Sequence, residues 1–215
     1  MNPFSVFYYS IRSNYRLAIF VWLTRFLLAF AFIPSGMKKV LGQRFTNIGI
    51  EHPIGFFFEA LYRSGMYWNF IGWGQIFAAL LLMTQRFSTL GNIIYFFIIS
   101  NICFITLSMH FTGTWVITSL MLFASTCLLL WDANKLQYIF SNKEFLINRN
   151  DVYLPEASSS WQKSGFLLFT WSLAYVIIDQ HISSSHLLCF LVFFVLIIST
   201  VLATLLVEWK NSKLK

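Results

Sequence analysis

Arg25 is the residue in this chain with the most chemistry to explain, because it interrupts an otherwise apolar run, "TRFLLAFAFIPSGMKK". A charge at the centre of a membrane helix costs about 2.5–3.5 kcal/mol even on a lenient insertion scale, so its retention wants a ligand or an internal partner. At 1.5 Å per residue, Arg25 lies about 12 Å into a helix that opens near residue 17. Gln75 and Asn101, counted along their own helices, come out at about 15 Å and about 20 Å from that side. Depth alone therefore puts the three in one middle band. The functional reading is a small polar pocket in which Arg25 clamps an anion or carbonyl, with Gln75 and Asn101 as hydrogen-bond partners. The structural reading is interhelical glue, with these groups satisfying one another and backbone carbonyls. The residues leave both open.

His110 sits near the outer end of the same apolar stretch as Asn101 and is a candidate for contact with a quinone headgroup or for proton transfer. The plainer alternative is a neutral interfacial histidine. Glu51, His52 and Glu59 form a candidate entrance in the first outer loop, or are simply solvated loop residues. Lys38 and Lys39 read as side chains that snorkel to the outer headgroups. Asp179 with His181 reads as a local polar cap. The histidines are too few and too near the loops for a transmembrane haem site. Cys103, Cys127 and Cys189 lie in separate apolar runs and read as small hydrophobes, so no metal or dithiol chemistry is expected. Dinucleotide, P-loop, zinc-hydrolase and nucleophile-elbow motifs are absent.

The elements that must hold these residues follow from composition. Of the 215 residues, 58% are hydrophobic and only 11% charged, against about 25% charged in a soluble domain. This is a polytopic membrane protein, and the lipid bilayer is its first partner. Six segments approach the roughly 20 apolar residues that cross the hydrocarbon core: 17–37, 67–84, 88–109, 114–131, 164–180 and 186–207. Open strands are not expected, because in lipid every backbone polar group must be satisfied within the segment or within a closed barrel. The first span has no cleavage signature before it and is expected to stay in the membrane.

The net charge of +7 sits mostly at helix ends, which argues against nucleic acid. With the N-terminus inside, Arg12, Arg16, Arg86, Lys135, Lys143, Arg149, Lys163, Lys210, Lys213 and Lys215 face the cytoplasm. Lys38, Lys39, Arg44 and Arg63 face out. That excess orients both termini to the cytoplasmic side of the cell membrane. The segment "PIGFFFEALYRSG" in the first outer loop reads as a short interfacial helix. The polar stretch ending in "PEASSSWQKSG" reads as a linker.

Three ordered stretches resemble the DoxX-like membrane protein superfamily: "RFLLAFAFIPSGMKKVLG", "GWGQIFAALLLMTQRFSTLG" and "MHFTGTWVITSLMLFASTCLLLWD". The resemblance covers residues 17–135 and implies a compact four-helix membrane bundle. Family members often carry a glutamate where this chain has Gln75, so a carboxylate role there does not carry over. The expected organisation is a cytoplasmic segment 1–16, a DoxX-like core 17–135, a cytoplasmic linker 136–163 and a C-terminal helix pair with basic tail 164–215. The fold class is all-α: a four-helix core plus two further membrane helices. By resemblance, the function is that of a subunit of a membrane assembly with a protein partner, in redox metabolism, with quinone or lipid as ligand. A cargo or lipoprotein-handling receptor using the first outer loop, and a small-solute transporter, are the alternatives. Fold is carried by such a resemblance more securely than activity.

Overall fold

A computed structural model describes residues 3–140, 153–181 and 186–213. Among the described residues all regular structure is helical, in the order α1 (Pro3–Arg12), α2 (Tyr15–Val40), α3 (Pro53–Arg63), α4 (Met66–Met83), α5 (Ser88–Ser108), α6 (Thr114–Trp131), α7 (Ala133–Phe140), α8 (Ser159–His181) and α9 (His186–Lys213). Five of these, α2, α4, α5, α6 and α9, are long and apolar enough to cross a membrane. The sixth expected span, α8, has the length at 23 residues but is more polar than the five. The chain is an integral membrane protein built as an apolar helical bundle.

α2 is the central helix. It packs against α4, α6 and α8; α4 packs against α5, and α5 against α6. Its Asn14 cap accepts the backbone N–H groups of Arg16 and Leu17, which fixes where the helix starts. The helix then runs through Pro34 to Val40. Small residues set how closely it approaches α4. A methyl added at Gly36 would lie 3.0 Å from Gly72 O, and one at Gly72 would lie 2.8 Å from Gly36 O. In the core, Phe32 of α2 stacks on Tyr95 of α5, with ring centroids 3.9 Å apart. The outer faces carry exposed Phe20, Leu27, Phe70, Phe97, Phe104 and Phe123, the surface that lipid covers.

The α5–α6 pair is joined by polar contacts within the bundle. Ser125 Oγ donates to Asn92 Oδ1 at 2.8 Å, while Asn92 Nδ2 donates to Ser125 O at 2.9 Å. Further along, the Thr106 and Thr118 hydroxyls lie 2.8 Å apart. Such pairs are worth on average about 0.6 kcal/mol each in a bundle.

The segment expected as a bare linker is partly helical. α7 follows α6 directly, and α8 opens at Ser159, earlier than the expected residue 164. The cause is Trp161, fully buried against Trp22 and Phe26 with centroids 5.2 and 5.9 Å away. The packing of one indole overrides the serine-rich propensity around it. Residues 141–152, with Lys143 and Arg149, lie outside the described residues, as do Lys215 and the side chains of His181 and Lys213. The N-terminal stretch expected as a plain segment forms α1. α9 returns to the end where α2 begins: Glu208 accepts from Tyr15 Oη at 3.4 Å and pairs with Ser158.

Candidate functional site

Arg25 is buried in an ion pair. Its side chain is 5% exposed and Asp132 is 1% exposed, with Nη2 and Oδ2 at 2.9 Å and Nη2 and Oδ1 at 3.1 Å. Nη1 donates to Gln85 Oε1 at 3.0 Å. Gln85 in turn donates from Nε2 to Trp22 O at 3.0 Å, and Thr89 Oγ1 donates to Asp132 Oδ2 at 3.0 Å. Arg25 Nε is buried without an acceptor among the described residues.

The backbone explains why these groups converge. Asp132 ends α6, and its carbonyl accepts from the Lys135 and Leu136 backbone N–H groups that open α7. Gln85 lies in the α4–α5 turn at φ 57°, a left-handed conformation that non-glycine residues rarely adopt. That turn aims its carboxamide back at α2. The site therefore ties α2, the α4–α5 turn, the first turn of α5 and the end of α6 into one cluster.

α1 closes the cluster from outside. Tyr8 Oη donates to Trp131 O at 2.8 Å and accepts the Asn134 backbone N–H at 3.2 Å. Arg12, 4% exposed, stands 4.6 Å over the Trp131 ring and donates from Nη1 to Pro155 O at 3.1 Å. Burial raises the Tyr8 phenol above its ordinary value.

The depth argument misplaced this site because it assumed that all helices start in one plane. α2 overshoots the others, so Arg25, ten residues after Tyr15, is level with the α4–α5 turn. Gln75 and Asn101 do not join it. Gln75 belongs to a second polar group toward the other end of α2, with its Oε1 and Nε2 3.4 and 3.3 Å from Ser35 Oγ. Asn101 is exposed on α5 and donates to its own helix at Phe97 O, 2.7 Å away. His110 is exposed in the α5–α6 turn at φ 48°.

The second group contains a residue that sequence reasoning placed wrongly. Lys39 does not snorkel to a headgroup; it is 5% exposed. Its Nζ donates to Ser35 Oγ at 2.8 Å and Ser35 O at 3.0 Å, and lies 4.9 and 5.0 Å from the ring centroids of Phe45 and Trp68. The α2–α3 loop folds back over the helix end, held by Trp68 Nε1 donating to Gln43 O at 3.0 Å. Aromatic residues in that loop cover what the helix alone would have exposed.

Of the candidate entrance residues, Glu51 and His52 are both exposed, 4.0 Å apart. Glu59 instead bridges two arginines: Oε2 accepts from Arg44 Nε at 2.8 Å and Oε1 from Arg63 Nε at 2.9 Å. These hydrogen bonds bring its carboxyl down to about 2. A cavity of about 350 Å³ lies between the loop and α3, lined by Arg44, Phe45, Thr46, Phe58 and Glu59 among others. Among the described residues no group of three His, Cys, Asp or Glu side chains is placed to hold a metal ion.

The sequence signal for Asp132 was present: a lone carboxylate ends the apolar run "TCLLLWD". A carboxylate at the C-terminal end of a helix opposes the helix dipole and needs a cation nearby. Gln85 gave no comparable signal, since a turn glutamine is ordinary until its φ is known.

No family model and no solved structure matches the chain. The uncharacterized protein YwoB of Bacillus subtilis (strain 168) is 33% identical over 122 residues, which cover 54% of this chain and 79% of that protein. A relationship of that extent along most of the relative's length is one of family, and the chain belongs to the same family as YwoB.

Proposed function

We propose that the chain is a DoxX-like membrane subunit: a non-catalytic member of a membrane assembly, with Arg25 as an internal clamp. The observation that carries the non-catalytic reading is the engagement of both Arg25 terminal nitrogens by Asp132 and Gln85. A buried guanidinium paired in this way serves the packing of the elements around it. The DoxX-like reading draws support from where residues of the resembling stretches lie. Arg25 meets Asp132, and Gly36 meets Gly72. Residues that carry the resemblance in separate stretches are thus one another's neighbours. The redox and quinone association comes from the resemblance alone.

Purification of the full chain in mild detergent, followed by native mass spectrometry, tests the reading. Co-purification of a stoichiometric membrane partner is expected. The paired replacement Arg25→Leu with Asp132→Leu should leave that partner bound. A folded double variant that has lost its partner or a bound ligand would show that Arg25 does more than clamp.

The first loop favours a receptor as the second reading. It is a folded platform, with α3 fixed by Glu59 between Arg44 and Arg63. Deleting residues 51–64 would abolish cargo capture by a receptor while leaving the α2–α4–α5–α6 unit assembled.

A further inference from the structure

Lys39 presents an imbalance that the clamp at Arg25 does not. Arg25 is buried with a carboxylate, whereas Lys39 is equally buried and, among the described residues, has no carboxylate within ion-pair distance. Both its oxygen acceptors belong to the uncharged Ser35. A buried ammonium is retained at this cost where a counter-charge completes it. Ring faces and a hydroxyl soften the burial without neutralising it.

The space for such a counter-charge is adjacent. Phe45 has two roles: its ring lies against Lys39 Nζ, and the residue lines the cavity of about 350 Å³ under the α2–α3 loop. That volume exceeds what a single phosphate group occupies and accommodates the glycerol to which a lipid phosphate is attached. The cavity wall carries Arg44, paired with Glu59, which also accepts from Arg63. Those two arginines are matched by Glu59 and by Glu51, exposed beside Gly49, so the cation left over on this side is Lys39 behind Phe45, with Lys38 next in the chain.

We infer that the cavity beneath the α2–α3 loop is a binding site for a phosphate monoester or diester anion, with Lys39 as its buried cation and Phe45 as the partition that turns aside to admit it. The bound oxygens replace the Phe45 ring face at Lys39 Nζ. Ser35, itself bonded to Gln75, holds the ammonium in place from behind, and Arg44 closes the outer side. A lipid headgroup and free phosphate share this chemistry, and the test separates them. The inference does not depend on the DoxX-like proposal.

The full-length chain in detergent is titrated with inorganic phosphate, with phosphatidic acid and with phosphatidylcholine, and Tm is followed. Stabilisation by phosphatidic acid but not by phosphate assigns a lipid headgroup; stabilisation by both assigns the phosphate group itself. Lys39→Met should weaken the effect at least tenfold in apparent affinity. Because that variant can misfold, Thr46→Trp supplies an independent check, filling the cavity without touching Lys39. It should abolish binding while the unliganded Tm is kept. Hydrogen exchange of residues 44–58 should slow with ligand in the unsubstituted chain. If neither phosphate source shifts Tm, or if Thr46→Trp responds as the unsubstituted chain does, the inference is overturned and Lys39 only caps α2.

Discussion

Arg25 and Asp132 are 107 positions apart in the sequence, yet their side chains meet at 2.9 Å inside the bundle. This contact spans the four-helix unit, from its first helix to the end of its last. It converts a charge that reads as a ligand clamp into a partner for a carboxylate. Removing one member leaves the other buried and alone, which costs about 3–5 kcal/mol. Arg25→Leu and Asp132→Leu should each lower Tm sharply in detergent, and the double variant should recover most of the loss. A double variant no better than the singles would show that the two side chains act separately.

Gly165 lies where α8 crosses the end of α4, and a methyl placed there would run into the Met83 carbonyl. Gly165→Ala should cost about 1–3 kcal/mol through overpacking and loosen the C-terminal helices from the core. Limited proteolysis at residues 153–158 reads the loosening as faster cleavage. Gly74→Ala is the control, since its added methyl meets only Ile98 Cδ1 at an ordinary 3.4 Å.

The reciprocal bonds between Asn92 and Ser125 should show as coupling. In a double-mutant cycle of Asn92→Ala and Ser125→Ala, an interaction of about 0.6–1.7 kcal/mol is expected from similar pairs in membrane bundles. Additive losses would mean that α5 and α6 are held by shape alone.

Acid should release the first loop. The Glu59 carboxyl is lowered to about 2 by hydrogen bonds from Arg44 and Arg63, so its contribution is full at neutral pH. That contribution fades as pH falls from the ordinary glutamate value of about 4.3 through the folded value, because the unfolded loop takes up the proton first. Protection factors over residues 44–63, corrected for the intrinsic pH dependence of amide exchange, should fall between about pH 4.3 and pH 2. Glu59→Gln should already be less protected at neutral pH and lose this pH dependence.

The helices were legible because lipid demands long apolar segments. The span expected at 114–131 coincides with α6, and those at 67–84 and 88–109 differ from α4 and α5 by one residue. The short helix in the first loop was legible from its Pro and aromatic pattern. The polar contacts were less so, because a one-dimensional depth scale says nothing about which face a residue takes. Asn101 has a suitable depth but faces outward, and Gln75 points to Ser35. Lys39 looked like an interfacial lysine because nothing in "GMKKV" reveals that Phe45 and Trp68 fold over it. α8 was read short because its first turn is held by the remote Trp22 and Phe26.

The Arg25 cluster also sets a timetable. Arg25 leaves the ribosome 60 residues before Gln85 and 107 residues before Asp132. At roughly 5–20 residues per second, its neutralising carboxylate follows on the order of 5–20 s later. Throughout that interval the guanidinium has no permanent anion, so α2 must wait with this end in water or against the insertion machinery. Gln85 arrives part-way through as an interim acceptor. The first membrane-spanning helix synthesised is therefore among the last to reach its final environment.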